Sequence, residues 1–379
     1  MDKVIEHFLA MAALSSPSYK ETLVSEYIQA QLSKYGIDFY QDNAHLHYQD
    51  EGAQCGNLIA LLPGDLSGTI ALSAHMDTVT PCDTITIIED GDWIKTDGKS
   101  VLGGDDKAGI AVILDALIEL TTNPRPHPTV IAIFTIGEEV GLKGAKVLDF
   151  ADLPSIDLAY VIDAGGDIGT AYVSAPYSAK GIVTITGIAG HASEPETGCN
   201  AMVVGAQLIA QLPIGRVDEE TTSNLGLIKG GNATNIIMES VDITFEVRSR
   251  QQHKVQTFID EVTKQLNTLQ ASYPITYQNR IAQGTPGFRL DPESSLLSTF
   301  ASCCAQQGIE VQFNDGMGGS DANIFNKNGI PCMDISVGMS QIHSVNECIR
   351  KSDIIRCRDL VLTLLTSSGT NLHPHVLSN

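Results

Sequence analysis

Five short stretches of the sequence gather residue types that could do chemistry together. They are Ala74-His75-Met76-Asp77-Thr78, Gly103-Gly104-Asp105-Asp106-Lys107-Ala108-Gly109, Gly137-Glu138-Glu139, Val161-Ile162-Asp163-Ala164-Gly165 and Gln341-Ile342-His343-Ser344-Val345-Asn346-Glu347. A neutral imidazole binds a metal, and a nearby carboxylate can accept its second N–H and fix the tautomer. If the strand before it continues, His75 and Asp77 point to one face. Alone, such a pair reads first as a surface or core histidine. Asp105 and Asp106 open a helix, where capping and the helix dipole also favour acids. Capping explains the Gly-Gly pair and Lys107 less well, and a carboxylate there could bridge two cations. Glu138 and Glu139 follow a buried apolar run, a costly place for two carboxylates unless something positive is near. Adjacent side chains diverge, so one can bind metal while the other faces the substrate water. Asp163 and His343, each alone, read as a strand-end turn and a structural histidine. Taken together the set is His, Asp, Glu, Asp, His with a spare Glu. That nitrogen and oxygen mix suits zinc and related divalent cations.

The elements that must position these residues are legible from the apolar pattern. Residues 2–35 read as helices broken at Ser15-Ser16-Pro17-Ser18. Asn57 to Leu62, Thr69 to Ser73, Val130 to Ile136, Leu158 to Ile162 and Ile330 to Val337 are apolar runs of strand length, and Asp106 to Leu120 has helical periodicity. Strands alternating with helices predict an α/β layer architecture. Each of the five stretches falls at or just past the end of a predicted strand, where open α/β sheets build their sites. Between Lys180 and Asn279 the pattern changes to β-α-β-β-α-β, the order of a ferredoxin-like module. Its strands are Lys180 to Ala189, Asn224 to Lys229, Val241 to Arg248 and Ser272 to Asn279, and its helices are Cys199 to Gln211 and Gln251 to Leu269. It lies between two α/β segments and reads as an inserted lid. From Gly369 a loose polar tail carries His373 and His375, read as part of a frayed terminus.

Bulk properties narrow the partners. The 379 residues point to two domains, and 43% hydrophobic residues allow a sizeable core. With 23 Lys plus Arg against 45 Asp plus Glu, the formal charge is −22, which argues against nucleic acid or anionic membrane as a partner. The start, MDKVIEHFLAMAAL, reads as an amphipathic helix and not as a signal peptide, and no apolar run spans a bilayer. The eight cysteines form no C-x-x-C pair, as expected for thiols in a reducing cytoplasm.

With these motifs in place, the sequence resembles the co-catalytic zinc exopeptidases that include peptidase T, aminoacylase, succinyl-diaminopimelate desuccinylase and the glutamate carboxypeptidases. Gly104-Asp105-Asp106-Lys107-Ala108-Gly109, Gly137-Glu138-Glu139-Val140-Gly141 and Gly318-Gly319-Ser320-Asp321-Ala322-Asn323 followed by Gly329-Ile330-Pro331 look most like the peptidase T branch. The resemblance covers nearly the whole chain. It implies a mixed-sheet α/β zinc-exopeptidase catalytic domain, residues 1–177 and 286–379, with an inserted ferredoxin-like α+β lid or dimerisation domain, residues 178–285. It implies two divalent metal ions, zinc first and cobalt or manganese as alternatives. His75, Asp105 and Asp163 would hold one, and Asp105, Glu139 and His343 the other. Asp77 would orient His75, Glu138 would be the general base, and the Asp105–Asp106 peptide would be cis. In the lid, Gly190-His191-Ala192-Ser193 and Gly198-Cys199-Asn200-Ala201 match the family's dimerisation motif, with His191 polarising the scissile carbonyl from a partner's lid.

Asn235, Arg248 and Arg289 are candidate substrate contacts, the two arginines equally readable as structural ion pairs. Some peptidase T relatives carry an arginine where this chain has Met317, which puts strict tripeptide selection in question. The expected activity is a two-metal aminopeptidase acting on short peptides. An N-acyl amino acid deacylase or a carboxypeptidase has the same ligand set. A metal-binding scaffold without catalysis is the reading from another class, and Glu138 speaks against it, because a pure binding site needs no spare base.

Overall fold

In the computed structural model, residues 2–367 are described; His373 and His375 lie outside them. The amphipathic start forms the helix Lys3–Ala12, which buries Val4, Ile5, Phe8 and Met11 at helical spacing. Asp2 caps it by accepting from the Val4 N–H at 3.2 Å. After the Ser-Pro break, the helix Thr22–Tyr35 ends at Gly36 with φ +69°.

The apolar runs become the middle of a nine-stranded sheet, in the order Leu58–Leu62, Thr129–Thr135, Thr69–His75, Leu158–Gly165, Cys332–Met339. The last four are parallel to one another, whereas Leu58–Leu62 is antiparallel to Thr129–Thr135, so the sheet is mixed. Parallel strands covered on both faces need apolar residues at successive positions, which is why these segments read as continuous runs. The helix Gly104–Thr122 packs on the Thr69–His75 strand and beneath the helices Lys3–Ala12, Thr22–Tyr35 and Lys351–Ser367. It is therefore buried along nearly its whole length.

Residues Ala175–Phe288 form a second compact unit, against the lid boundaries of 178 and 285 drawn from sequence. Its strands lie in the order Thr221–Gly230, Ser240–Ser249, Tyr177–Thr186, Thr276–Gln283, all antiparallel. The helices Ala201–Gln211 and Gln252–Ser272 cover the face formed by Val183, Ile185, Val241, Ile243 and Phe245. This is the β-α-β-β-α-β order, with one addition: the two-residue strand Gly215–Arg216 pairs with Thr222 and Ser223.

One element is an addition and one expectation needs correction. A separate three-stranded sheet of Ile87–Asp90, Trp93–Thr96 and Cys348–Arg350 was not anticipated, because its short, half-polar strands give no apolar run. The strand at 158 continues to Gly165, so Asp163 lies within it and not in a turn beyond it.

Candidate metal centre

Four parallel neighbouring strands bring their C-terminal ends to one edge of the sheet, and the chemistry collects there. His75 is the last residue of its strand and pairs in register with Thr135, three residues before Glu138. On the other side Ser73 pairs with Val161, which sets His75 level with Asp163. His343 follows Met339, the end of the next strand. Asp105 is the exception to the strand-end rule, for it enters from the start of the helix Gly104–Thr122. The first residues there are not helical: Gly103 has φ +74°, a conformation that suits glycine, and Asp105 has φ −81° and ψ 100°. The Asp105–Asp106 peptide is cis.

The side chains form two triads that share Asp105. His75 Nε2 lies 2.9 Å from Asp105 Oδ1 and 3.4 Å from Asp163 Oδ1. His343 Nε2 lies 3.1 Å from Asp105 Oδ2 and 2.9 Å from Glu139 Oε2. Two ligands bonded to one tetrahedral zinc sit about 3.3 Å apart, so these spacings fit a cation in each triad. The electrostatics also call for one. Glu139 Oε1 is buried without a hydrogen-bond partner. Burial, with Asp105 beside it, pushes the Asp163 carboxyl well above the usual range. Burial, with Asp163, Asp321 and Asp77 nearby, does the same to Glu138. Such crowding is relieved by bound divalent cations, which are the strongest local positive charge a site can hold. Glu138 belongs to neither triad and is only 9% exposed.

Hydrogen bonds fix this arrangement, and one differs from expectation. His75 Nδ1 is 2.9 Å from the Asp77 carbonyl oxygen and 3.4 Å from its carboxylate, so the main chain is the nearer partner. The reason is that the strand ends at His75 and the chain turns before Asp77. The Asp77 carboxylate instead accepts the N–H groups of Glu138 at 2.9 Å and Glu139 at 3.2 Å, and the Ser18 hydroxyl at 2.6 Å. It thereby holds the turn that carries both glutamates. Asp106 is fully buried and accepts from the N–H groups of His75 at 3.3 Å and Gly109 at 3.1 Å, so it serves the backbone and is in neither triad. Gly109 must lack a side chain, because a Cβ there would collide with the Ile162 carbonyl and the Asp106 carboxylate.

Four supporting acids were missed from sequence. Glu21 accepts the Gly137 N–H at 3.0 Å, and Asp334 accepts the Asp163 N–H at 3.2 Å. Asp321 accepts the Thr135 hydroxyl at 2.5 Å. Glu347 accepts the N–H groups of Leu102, Gly103 and Asp105 at 2.9, 2.8 and 2.9 Å. Asp321 and Glu347 stood inside noted motifs, but residue type and spacing did not separate them from surface acids.

The remaining candidates are members of neither triad. In the inserted unit, Ser193 donates to His191 Nδ1 through its hydroxyl at 2.7 Å and its N–H at 3.2 Å. The Ala192 N–H donates to the Asn235 carbonyl at 3.0 Å, so His191 and Asn235 sit on neighbouring loops. Arg248 pairs with Glu246 at 2.8 Å. Arg289 pairs with Asp315 at 2.9 Å, so a substrate carboxylate would have to compete with that acid.

Fold and site together point to a metallopeptidase whose two groups of candidate cation ligands share one carboxylate. Family models agree along the chain: a peptidase dimerisation domain matches residues 174–274, peptidase family M28 matches 57–198, and M42 glutamyl aminopeptidase matches 290–360. An uncharacterized protein of Bacillus subtilis, YqjE, is 32% identical over 97% of this chain and 98% of its own. A tripeptidase from Staphylococcus aureus superposes with a TM-score of 0.92 at 30% identity, covering 97% of this chain and 98% of its own. The aminopeptidase PepT from Bacillus cereus gives 0.89 at 31% identity, covering 96% and 98%. The chain belongs to the peptidase T-like branch of the M20 peptidases.

Proposed function

We propose that this protein is an aminopeptidase that removes the N-terminal residue of short peptides, tripeptides above all, using two zinc ions. The observation that carries the reading is the pair of triads joined at Asp105, with Glu138 buried beside them and outside both. When bound, the two cations acidify the attacking water and polarise the scissile carbonyl. His75, Asp105 and Asp163 would hold one, and Asp105, Glu139 and His343 would hold the other. Glu138 takes the proton from the water and delivers it to the leaving amine. Asp77 and Glu21 keep the main chain of its turn in place, so the carboxylate needs no reorganisation during the reaction. Cobalt or manganese would satisfy the same ligands.

His191 is proposed to polarise the carbonyl in the site of a second copy of the chain. The strand Thr221–Gly230 supports such a dimer. Beyond Ser223 its outer edge carries no strand among the described residues, and Leu227 and Ile228 are exposed on it. An open apolar edge of this kind is a template for pairing. Arg248 lies eight residues along its strand from Ser240, which pairs with Thr186 at the strand end that leads into the His191 loop. That is roughly 26 Å, whereas a tripeptide reaches only about 10 Å. One substrate can therefore meet both His191 and Arg248 only if two chains supply them. The eight unpaired cysteines support a cytoplasmic location, and no helix among the described residues is long and apolar enough to cross a membrane.

The test is a panel of tripeptides, N-acyl amino acids and C-terminally varied dipeptides, assayed on metal-free protein and after adding zinc, cobalt or manganese. Metal-dependent release of the N-terminal residue is expected. Preferential cleavage of N-acyl amino acids, or release of the C-terminal residue, would replace the aminopeptidase reading. No cleavage with two metals bound would leave a scaffold.

A further inference from the structure

The two halves of the second triad come from distant parts of the chain, and something must set their spacing. Asp105 stands where the main chain enters a buried helix, whereas the His343 side chain is 54% exposed on a loop. That loop is closed at its base, where Ser340 and Cys348 exchange backbone hydrogen bonds at 3.0 and 3.1 Å. Inside it Gln341 and His343 both take positive φ, +55° and +60°, a conformation that costs energy for residues with a side chain. The Ser344 hydroxyl donates to the Gln341 carbonyl at 2.7 Å, and the Glu347 N–H donates to the Ser344 carbonyl at 3.1 Å. The loop thus turns His343 outward and Glu347 inward.

Glu347 is only 2% exposed, and its two oxygens accept three main-chain N–H groups, those of Leu102, Gly103 and Asp105. These are charge-assisted bonds at a helix entrance, where free N–H groups and the helix dipole both favour an anion. One short loop therefore carries a ligand of the second triad and the carboxylate that holds the main chain of another. The first triad shares Asp105, but its other two members have supports of their own. His75 is fixed through the Asp77 carbonyl and Asp106, and Asp163 through Asp334.

We infer that Glu347 is a positioning residue for the second cation: it sets the distance between Asp105 and His343, so that cation is held only as well as Glu347 ties the two segments. The inference rests on the two-ion reading above. Glu347→Gln keeps the shape but turns an NH2 group toward main-chain donors. Metal-free wild type and variant are titrated with cobalt by calorimetry, with the cobalt absorption bands followed in parallel. In the variant the first ion should bind within about threefold of wild type. The second should weaken about 10–100-fold, the range for removing an outer partner of a metal ligand. Excess cobalt should then restore the wild-type absorption bands. A merely structural role would lower both affinities together, and that result, or an unchanged second affinity, overturns the inference. If Glu347→Gln does not fold, the same titration of Glu347→Asp decides, with a smaller loss confined to the second ion expected. A wild type that binds fewer than two ions overturns the two-ion reading itself, and this inference with it.

Discussion

Replacing Glu138 by glutamine separates holding the metals from using them. The hydrogen bond that places this residue runs from its main-chain N–H to Asp77, 2.9 Å away, and survives the change. Glutamine also fits the same buried volume. What disappears is one negative charge and the capacity to accept a proton. No atom of either triad is lost, so the variant should still bind two ions per chain, with affinity lowered by no more than about tenfold through the missing charge. The rate should fall far more. General base catalysis contributes about 10²–10⁴-fold, or roughly 2.7–5.4 kcal/mol of barrier. The assay pairs metal content, measured per chain after dialysis, with kcat for tripeptide cleavage at saturating zinc. Loss of one ion would make Glu138 a ligand and reverse its roles with Glu139. Two bound ions with unchanged kcat would remove the base from the mechanism.

Asp105→Ala should release both ions, whereas His75→Ala or His343→Ala should weaken mainly one, because Asp105 is the member common to both triads; metal content per chain checks this, and one ion still tightly held in Asp105→Ala would move the bridge elsewhere. Mixing inactive His191→Ala with inactive Glu138→Gln under subunit exchange should restore activity, since a mixed dimer has one site with both native residues; proven exchange without recovery would place His191 in its own chain's chemistry or in none. Burial depresses His7 to a pKa of about 4, against 6.5 unperturbed, so the unfolded chain takes up the proton first as pH falls. The stability this residue contributes is full above about pH 6.5 and is lost toward pH 4, by at most about 2 kcal/mol between pH 7 and 5. Urea unfolding of His7→Asn should show a pH slope flatter by that amount, and equal slopes would refute the shift.

The sequence by itself determined a good deal, for identifiable reasons. Buried parallel strands must be apolar at successive positions, so the Thr69, Val130 and Leu158 runs showed themselves, and with them the α/β sheet. The inserted unit was legible because its strands alternate, one face on the helices and one on water. The residues of both triads were legible as types, His, Asp and Glu beside glycines at the ends of such runs. Other matters were decided only in three dimensions. Residue type could not say which acid of Asp105-Asp106 enters the triads, because the answer depends on a non-helical entry that aims Asp106 at the His75 and Gly109 backbone. Nor could it say that Asp77 would hold the Glu138 turn, or that Glu347 would reach the Asp105 main chain across 242 residues. A hydrogen bond to a distant main-chain N–H leaves no periodicity and asks only for an acid. Such bonds are specified by where the sheet edge brings the loops, and that is a property of the folded chain.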